Sequence, residues 1–166
     1  MSDKLRTPLD ALELLMQDHR ELESLFRDFQ NLDDPKASAQ LVREACAELV
    51  IHDKLETDIF YPAVREAADA QEIDDLLDDG EDDHEDIVEL IDALEELAPG
   101  DGKRDAHFVS LSQHVARHVE EEETNLFPRV RKLKALDLVA LADEMRTRRS
   151  ELMGDMGVAE AGAEAA

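Results

Sequence analysis

Two segments of the chain repeat one arrangement of residues that could bind a metal ion. In each segment a histidine is followed by a glutamate four residues later and by a proline ten residues later. These residues are His52, Glu56 and Pro62 in the first segment and His118, Glu122 and Pro128 in the second. A further histidine preceded by aspartate lies upstream of each segment, at His19 and at His84. The pattern predicts two related halves, each contributing a histidine and then an HxxxE motif.

Histidine and glutamate at this spacing predict metal ligands on one side of a helix. Residues i and i+4 lie one above the other on a helix, so each HxxxE motif directs an imidazole nitrogen and a carboxylate to the same point. Both motifs fall on apolar stripes, where an unpaired glutamate is costly to bury and two neighbouring carboxylates repel each other. Two divalent or trivalent cations would remove both costs. Imidazole and carboxylate ligands without a thiolate suit iron or manganese, and also zinc.

The metal hypothesis depends on the joint spacing, because each part alone is weak. A lone histidine on an apolar stripe is usually a core residue with a hydrogen-bond partner, so a helical bundle without metal is one alternative. A ferritin-like site requires two ExxH motifs, whereas the chain offers only the one from Glu81 to His84. A single tetrahedral zinc site leaves the repeat unexplained. The ligands predicted for a two-metal site are His19, His52, Glu56, His84, His118 and Glu122.

Length and composition indicate a single acidic domain. The chain has 166 residues, 43% of them hydrophobic and 37% charged, and a formal net charge of -25. This charge argues against binding to nucleic acid, whose phosphates require a basic surface, and against electrostatic binding to an anionic membrane. Cys46 is the single cysteine, which fits a reducing compartment. With no secretory signal at its start and no apolar run of ~18 residues, the chain is expected to be cytoplasmic.

Apolar residues at three- and four-residue spacing predict four long helices and a short fifth. The expected spans are about 8–31, 35–62, 80–98, 103–131 and 135–152. Thr7 and Pro8 are expected to be the N-cap and the first residue of the first helix. The predicted fold class is all-α, an up-down-up-down four-helix bundle with a short additional C-terminal helix. The bundle is predicted to occupy residues 1–153, followed by a flexible tail at 154–166.

Three features refine the prediction for the second, third and fourth helices. Pro62 and Pro128 are expected to kink or end their helices, because proline lacks a backbone donor. Between residues 69 and 101, sixteen residues are Asp or Glu and none is Lys or Arg. Apolar residues keep helical spacing through this stretch, which favours a solvated acidic face of a real helix over disorder. Gly80 is predicted to mark the N-terminal boundary of that helix, with a short helical turn or loop before it.

Two further side chains, Tyr61 and His114, lie near the motifs and have two candidate roles each. For Tyr61, core packing at a helix bend is favoured over a hydrogen bond to the metal site. His114 lies four residues before His118 on the same helix face, but the residue four before His52 is Glu48. A non-ligand role for His114 is therefore favoured over that of a replacement ligand.

These motifs resemble the hemerythrin family, in the bacterial form called the hemerythrin HHE cation-binding domain. The family pattern H…HxxxE…H…HxxxE is matched by the six predicted ligands, over about residues 9–131. The aromatic-proline step that follows HxxxE in the family is matched by Phe60-Tyr61-Pro62 and Phe127-Pro128. The resemblance implies a non-haem di-iron centre with an oxo or hydroxo bridge and with glutamate carboxylates spanning the two iron ions.

The chain departs from the oxygen-carrying members of that family, which have HxxxH on the third helix and HxxxxD on the fourth. Here the residue four after His84 is Val88, and the last carboxylate is Glu122 at +4. The chain is more similar to the four-His, two-Glu hemerythrin-like proteins, associated with peroxide breakdown, iron or oxygen sensing and stress response. The resemblance implies hydrogen peroxide or dioxygen as the ligand. Catalase-like peroxide breakdown is the specific hypothesis, and a binding or sensing module without turnover is the alternative.

Overall fold

The structure, a computed structural model, describes residues 8–157 of the chain. Within that range every regular element is helical and no strand is present, which confirms the predicted all-α class. The helices are α1 (Ala11–Gln30), α2 (Pro35–Leu55), α3 (Tyr61–Ala67), α4 (Gln71–Glu95), α5 (Gly102–Glu121), α6 (Phe127–Val130) and α7 (Leu138–Met156). π-Helical turns at Glu56–Phe60 and Glu122–Leu126 join α2 to α3 and α5 to α6. No described helix is long and apolar enough to cross a membrane.

The four long helices that carry the predicted ligands pack in a ring. α1 packs against α2, α2 against α4, α4 against α5, and α5 against α1, while α7 packs against α1 and α2. Two apolar clusters fill the interior. The first cluster includes Leu15, Leu55, Leu77, Leu126 and residues of α7. The second cluster includes Leu22, Leu49, Ile87 and Val115.

The predicted histidine ligands lie at the boundary between these two clusters. Along α1, His19 lies between Leu15 of the first cluster and Leu22 of the second. The histidines of α2, α4 and α5 are flanked by the two clusters in the same way. A polar layer therefore crosses the interior between two apolar regions, and this layer holds the site.

The first helix begins three residues later than the sequence predicted. Pro8 precedes the helix rather than opening it, and Asp10 is the N-cap of α1. The side chain of Asp10 accepts a hydrogen bond from the backbone N–H of Glu13, and the Glu13 carboxylate accepts one from the backbone of Asp10. This reciprocal pair satisfies two free backbone donors at once, which explains why the helix begins here. Thr7, the predicted cap, lies outside the described residues.

The kinks predicted at Pro62 and Pro128 take the form of π-helical turns. Proline supplies no N–H for an α-helical hydrogen bond and clashes with the carbonyl four residues back. In the turn after α2, the N–H of Tyr61 donates to the carbonyl of Glu56, five residues back. The same pairing recurs one residue before Pro128. Each π turn begins at the glutamate of an HxxxE motif, and such turns are frequent at functional sites.

The break predicted at Gly80 is wrong, because α4 begins at Gln71 and runs through Gly80 without interruption. The glycine allows a close approach instead. A Cβ atom at position 80 would lie 2.5 Å from the hydroxyl oxygen of Tyr61 and 3.0 Å from Cζ of that ring. Tyr61 is fully buried, and its ring stacks on His84 with a centroid distance of 5.3 Å. The ring has no room to retreat, so position 80 requires a residue without a side chain.

We expect Gly80→Ala to destabilise the fold by about 1–3 kcal/mol, because overlap with Tyr61 outweighs the ~1 kcal/mol gained in helix propensity. Thermal unfolding would measure the change. Gly154→Ala is the matched control, since Gly154 also lies in a helix and a Cβ there meets open space. Removing the hydroxyl with Tyr61→Phe should recover part of the loss in the double variant. Similar shifts in the midpoint for both glycine variants would contradict the close approach.

Within the acidic stretch at 69–101, α4 is a helix with one buried face, as predicted, although it begins at Gln71 rather than near residue 80. The buried residues of α4 are Ile73, Leu77, Gly80, His84, Ile87, Ile91 and Leu94. Most of its carboxylates lie on the opposite, solvent-facing side. Solvation of that side allows a helix of high charge density to form.

Cys46 is a buried residue of the second cluster, 8% exposed. Burial, together with the charge of Glu95, raises the pKa of its thiol to about 11. The nucleophilic thiolate is therefore scarce near neutral pH, as expected of an inert core residue.

The C-terminal helix extends further than predicted, to Met156 rather than to residue 152. Leu152 and Met153 are buried against the first cluster, which stabilises the additional turn. Gly157, with a φ of 67°, provides the left-handed residue that ends the helix. The predicted tail thus begins with helical residues, and its remainder, 158–166, lies outside the described residues.

Candidate metal centre

All six predicted ligands are buried in the polar layer and direct their side chains toward one another. They form two groups. The first group is His19, His52, Glu56 and Glu122, and the second is Glu56, His84 and His118. The potential ligand atoms of each group lie within 4.8 Å of one another, close enough to surround one ion. Glu56 belongs to both groups, so the arrangement suits two neighbouring cations.

Glu56 has no exposed area and lies between two pairs of histidines. Its Oε1 atom lies 3.0 Å from Nε2 of His52 and 4.0 Å from Nε2 of His19. Its Oε2 atom lies 2.8 Å from Nε2 of His84 and 3.6 Å from Nε2 of His118. Each oxygen therefore faces one pair, which is the placement required of a carboxylate that bridges two cations.

Glu122 is arranged differently from Glu56. Its Oε1 atom lies 3.0 Å from Nε2 of His118 and 3.6 Å from Nε2 of His19. Its Oε2 atom accepts a hydrogen bond of 3.1 Å from the hydroxyl of Tyr61. Only one oxygen of Glu122 thus faces the histidines. The family resemblance implied bridging by both glutamates, and the geometry favours that role for Glu56.

Tyr61 belongs to the site as well as to the core, so the prediction of core packing alone was incomplete. Its ring is nearly parallel to that of His84, with an interplanar angle of 7°. Burial and the charges of Glu56 and Glu122 raise the pKa of the Tyr61 hydroxyl well above its usual range, so the hydroxyl stays protonated and donates a hydrogen bond to Glu122. The signal in the sequence was Gly80, because a glycine within a helical pattern often marks a close approach.

Each of the four predicted histidine ligands points Nε2 into the cluster and has a carboxylate close to its other ring nitrogen, Nδ1. A neighbouring helical segment supplies that carboxylate. The pairs are His52 with Asp18 at 3.0 Å, His84 with Asp53 at 2.6 Å, His118 with Asp83 at 3.2 Å and His19 with Glu123 at 3.3 Å. α1 thus orients the histidine of α2, α2 that of α4, α4 that of α5, and the π turn after α5 that of α1. Carboxylates in this position fix the tautomer and orientation of metal-binding histidines. The aspartates beside the histidines were visible in the sequence, whereas their pairing across helices was not.

Arginines contact three of these carboxylates in turn. Arg149 on α7 lies 2.5 Å from Asp18, Arg20 lies 2.5 Å from Glu123, and Arg117 lies 3.4 Å from Asp83. Burial alone would raise the pKa of Asp18, but its contacts with His52 and Arg149 lower it. Asp18 therefore stays ionised, and its bond to His52 depends on a helix that carries none of the predicted ligands.

The inward-facing atoms fit a cation. A histidine that donates its Nδ1–H to a carboxylate presents the lone pair of Nε2 to the interior, and the Nε2 atoms of His84 and His118 lie only 3.0 Å apart. Several other buried atoms of the site make no hydrogen bond within the described part of the chain. They are Nε2 of His19 and of His52, both carboxylate oxygens of Glu56 and Oε1 of Glu122. Buried polar atoms without partners are rare, and cations between them would satisfy the whole set.

In the metal-free protein, bound protons on the histidines satisfy some of these atoms instead. Burial disfavours a charged imidazole, but the nearby carboxylates of Asp53 and Glu56 raise the pKa of His84 to about 9. The pKa values of His52 and His118 also rise well above their usual range, because nearby carboxylates outweigh burial. A metal ion must displace these protons in order to bind.

The two remaining histidines lie outside the cluster. Among the described residues, neither His107 nor His114 belongs to a group that could hold a metal ion. Both are partly exposed. This placement agrees with the favoured non-ligand role of His114.

Comparison with known proteins gives one family and two relatives. Residues 10–130, and in a second overlapping match residues 77–165, match the family described as Hemerythrin HHE cation binding domain. The crystal structure of a hemerythrin HHE cation binding domain-containing protein from Mycobacterium kansasii superposes with a TM-score of 0.74 at 23% identity, covering 89% of this chain and 90% of that one. A protein from Nostoc sp. (strain PCC 7120) named DNA nickase is 22% identical over 150 residues, 90% of this chain. The chain spans 42% of that relative's length.

Proposed function

Given that the chain belongs to the hemerythrin HHE cation-binding family, we propose that it is a non-haem di-iron protein that acts on hydrogen peroxide or dioxygen. The family match and the buried cluster of histidine and glutamate indicate metal binding. The proposal goes further in three respects: the metal is iron, each chain binds two ions, and the substrate is an oxidant. The observation that carries it is the position of Glu56, whose two oxygens face two separate pairs of histidines.

The six predicted residues would hold the two ions. His19 and His52 would bind one ion and His84 and His118 the other, with Glu56 shared between them. Glu122 would complete the set, as its Oε1 atom faces one histidine of each pair. When bound, the two iron ions would supply redox electrons and Lewis acidity to an oxidant.

The residues around the cluster would orient the ligands and exclude water. Tyr61 holds the second oxygen of Glu122 through its hydroxyl proton. The two apolar clusters enclose the polar layer from both sides, and exclusion of water strengthens electrostatic interactions inside such a site. Val88 stands where the oxygen-carrying relatives have a further histidine, and its side chain is 39% exposed. The absence of that further histidine favours turnover of an oxidant over reversible oxygen storage. The proposed turnover is disproportionation of hydrogen peroxide to water and dioxygen.

We also propose an up-down-up-down bundle in which the long helices α1, α2, α4 and α5 are the four arms and α7 is an additional helix. The ring of packing between α1, α2, α4 and α5 supports this arrangement. The short connections between successive helices support it too, because they favour antiparallel neighbours.

The nickase name of the Nostoc relative is not extended to this chain. That name describes a protein of which this chain spans 42%. A net charge of -25 would also repel the phosphate backbone of nucleic acid.

Metal analysis combined with peroxide kinetics would test the proposed function. We expect about two iron ions per chain, an absorption band that changes on addition of peroxide, and oxygen evolution in proportion to bound iron. Protein treated with a chelator is the control. Iron-loaded protein that responds to peroxide without evolving oxygen would indicate a sensing module instead. No stoichiometric metal, or zinc that does not respond to oxidant, would contradict the di-iron proposal.

A further inference from the structure

A small cavity lies beside the candidate metal centre, on the side of the second apolar cluster. Its volume is about 10 Å³, roughly the room that one water molecule requires. Its walls are His52, Asp53, His84 and His118 on one side and Leu22, Leu49, Ile87, Val115 and Val119 on the other. The apolar walls disfavour a charged occupant, so this inner cavity suits a small uncharged molecule.

A larger groove opens at the surface between α1 and α5. Its volume is about 440 Å³, and its floor includes His19. Its rim carries charges of both signs, among them Arg20, Arg27 and Glu120. The groove therefore reaches from solvent to the first group of predicted ligands without a strong preference for either sign of charge.

Two residues line both the groove and the inner cavity, Val115 and Val119. A residue that lines two cavities forms the wall between them. Val115 is 4% exposed and belongs to the second cluster, whereas Val119 is only partly buried. Rotation of an exposed or half-exposed side chain takes picoseconds to nanoseconds, so Val119 is the more mobile part of this wall.

We propose that small uncharged oxidants reach the metal centre through the α1/α5 groove and that the side chain of Val119 gates their passage into the inner cavity. This inference depends on the proposed function, because it assigns a route to the same site. The ligand class is a neutral molecule with two heavy atoms, such as dioxygen or hydrogen peroxide.

A second groove offers a competing route between α2 and α4. Its volume is about 560 Å³, and it contacts the inner cavity through Asp53 and His84. These two side chains lie 2.6 Å apart, and the hydroxyl of Thr57 lies 3.1 Å from the same imidazole. Passage on this side requires the separation of polar groups around a predicted ligand, including the hydrogen bond between Thr57 and His84, whereas passage past Val119 requires only displacement of an apolar side chain.

Nitric oxide is a suitable probe because it is an uncharged diatomic molecule. Its association and dissociation rates with the iron-loaded, reduced protein can be measured by stopped-flow absorbance, after iron content has been determined. A residue that only gates changes both rates by the same factor and leaves the equilibrium constant unchanged. We expect Val119→Phe to slow both rates by about tenfold and Val119→Ala to raise both. Val119→Ile provides a smaller step should the phenylalanine variant not fold.

Val88→Phe is the matched control, since Val88 lines the α2/α4 groove and not the inner cavity. We expect its rates to equal those of the unmodified protein. Slower binding in Val88→Phe with normal binding in the Val119 variants would overturn the route. A changed equilibrium constant in the Val119 variants would overturn gating, because Val119 would then contact the bound ligand. Absence of iron from the unmodified protein would refute the proposed function and the route together, whereas normal iron with unchanged rates would refute the route alone.

Discussion

Replacing Glu56 with glutamine is expected to reduce the iron retained from about two ions per chain to less than one, with affinity falling by at least ~100-fold. Glutamine keeps the size of the side chain but removes the charge that faces both pairs of histidines. Since Glu56 lies within 2.8 Å of Nε2 of His84 and 3.0 Å of Nε2 of His52, the substitution affects both halves of the site. Elemental analysis after gel filtration would measure the loss.

Two further variants sharpen this test. Glu122→Gln should have a smaller effect, because one oxygen of Glu122 is already bonded to Tyr61 and only the other faces the histidines. Glu44→Gln is the matched control, since Glu44 is an exposed residue of the same helix as His52. Its iron content should equal that of the unmodified protein. Full retention of iron by Glu56→Gln would exclude the bridging role, and equal losses in the two site variants would contradict their inequivalence.

The positions of the predicted ligands follow from local periodicity, which is why the sequence predicted their convergence. A spacing of four residues fixes two side chains on one helix face, and the repeat of that spacing fixes two such faces. His52 and Glu56 therefore meet without any information about long-range packing. The presence of helices and the irregularity before Pro62 follow from equally local rules, the apolar period and the missing proline donor.

The features of the site that the sequence did not predict depend on contacts between distant parts of the chain. Gly80 resembles a helix breaker until Tyr61, nineteen residues away in sequence, occupies the space that a side chain would need. The bond of Tyr61 to Glu122 spans 61 residues. Asp18 lies beside His19 in the sequence, yet it orients His52 and is held by Arg149. No periodicity encodes such pairings, because they depend on how the helices are rotated against one another.

The two HxxxE motifs specify four of the six predicted ligands locally, but the tautomers and orientation of the histidines are specified by neighbouring helices through the carboxylates at Nδ1. A short fragment carrying one motif would therefore present His118 and Glu122 without Asp83, the group that orients the imidazole. Correct assembly of all four arms is needed before the inward lone pairs face a common centre.

The stabilising effect of iron is expected to grow as pH rises. In the metal-free protein, the nearby carboxylates of Asp53 and Glu56 outweigh burial and raise the pKa of His84 from 6.5 to about 9. A raised pKa in the folded state stabilises the fold fully below pH 6.5, and this contribution is lost as pH rises through about 9. Iron binds deprotonated imidazoles, so competition from protons falls over the same range. The metal-free form thus loses stability while the loaded form gains affinity.

We therefore expect the difference in thermal midpoint between iron-loaded and chelator-treated protein to be wider at pH 9 than at pH 6.5. At iron concentrations about 100-fold above the dissociation constant, the difference should reach roughly 5–10 °C. The raised pKa values of His52 and His118 act in the same direction. Paired unfolding scans of the two forms at each pH would measure it, and Glu56→Gln, which should bind little iron, is the control. A difference that stays constant or narrows with pH would show that these imidazoles do not exchange protons for metal.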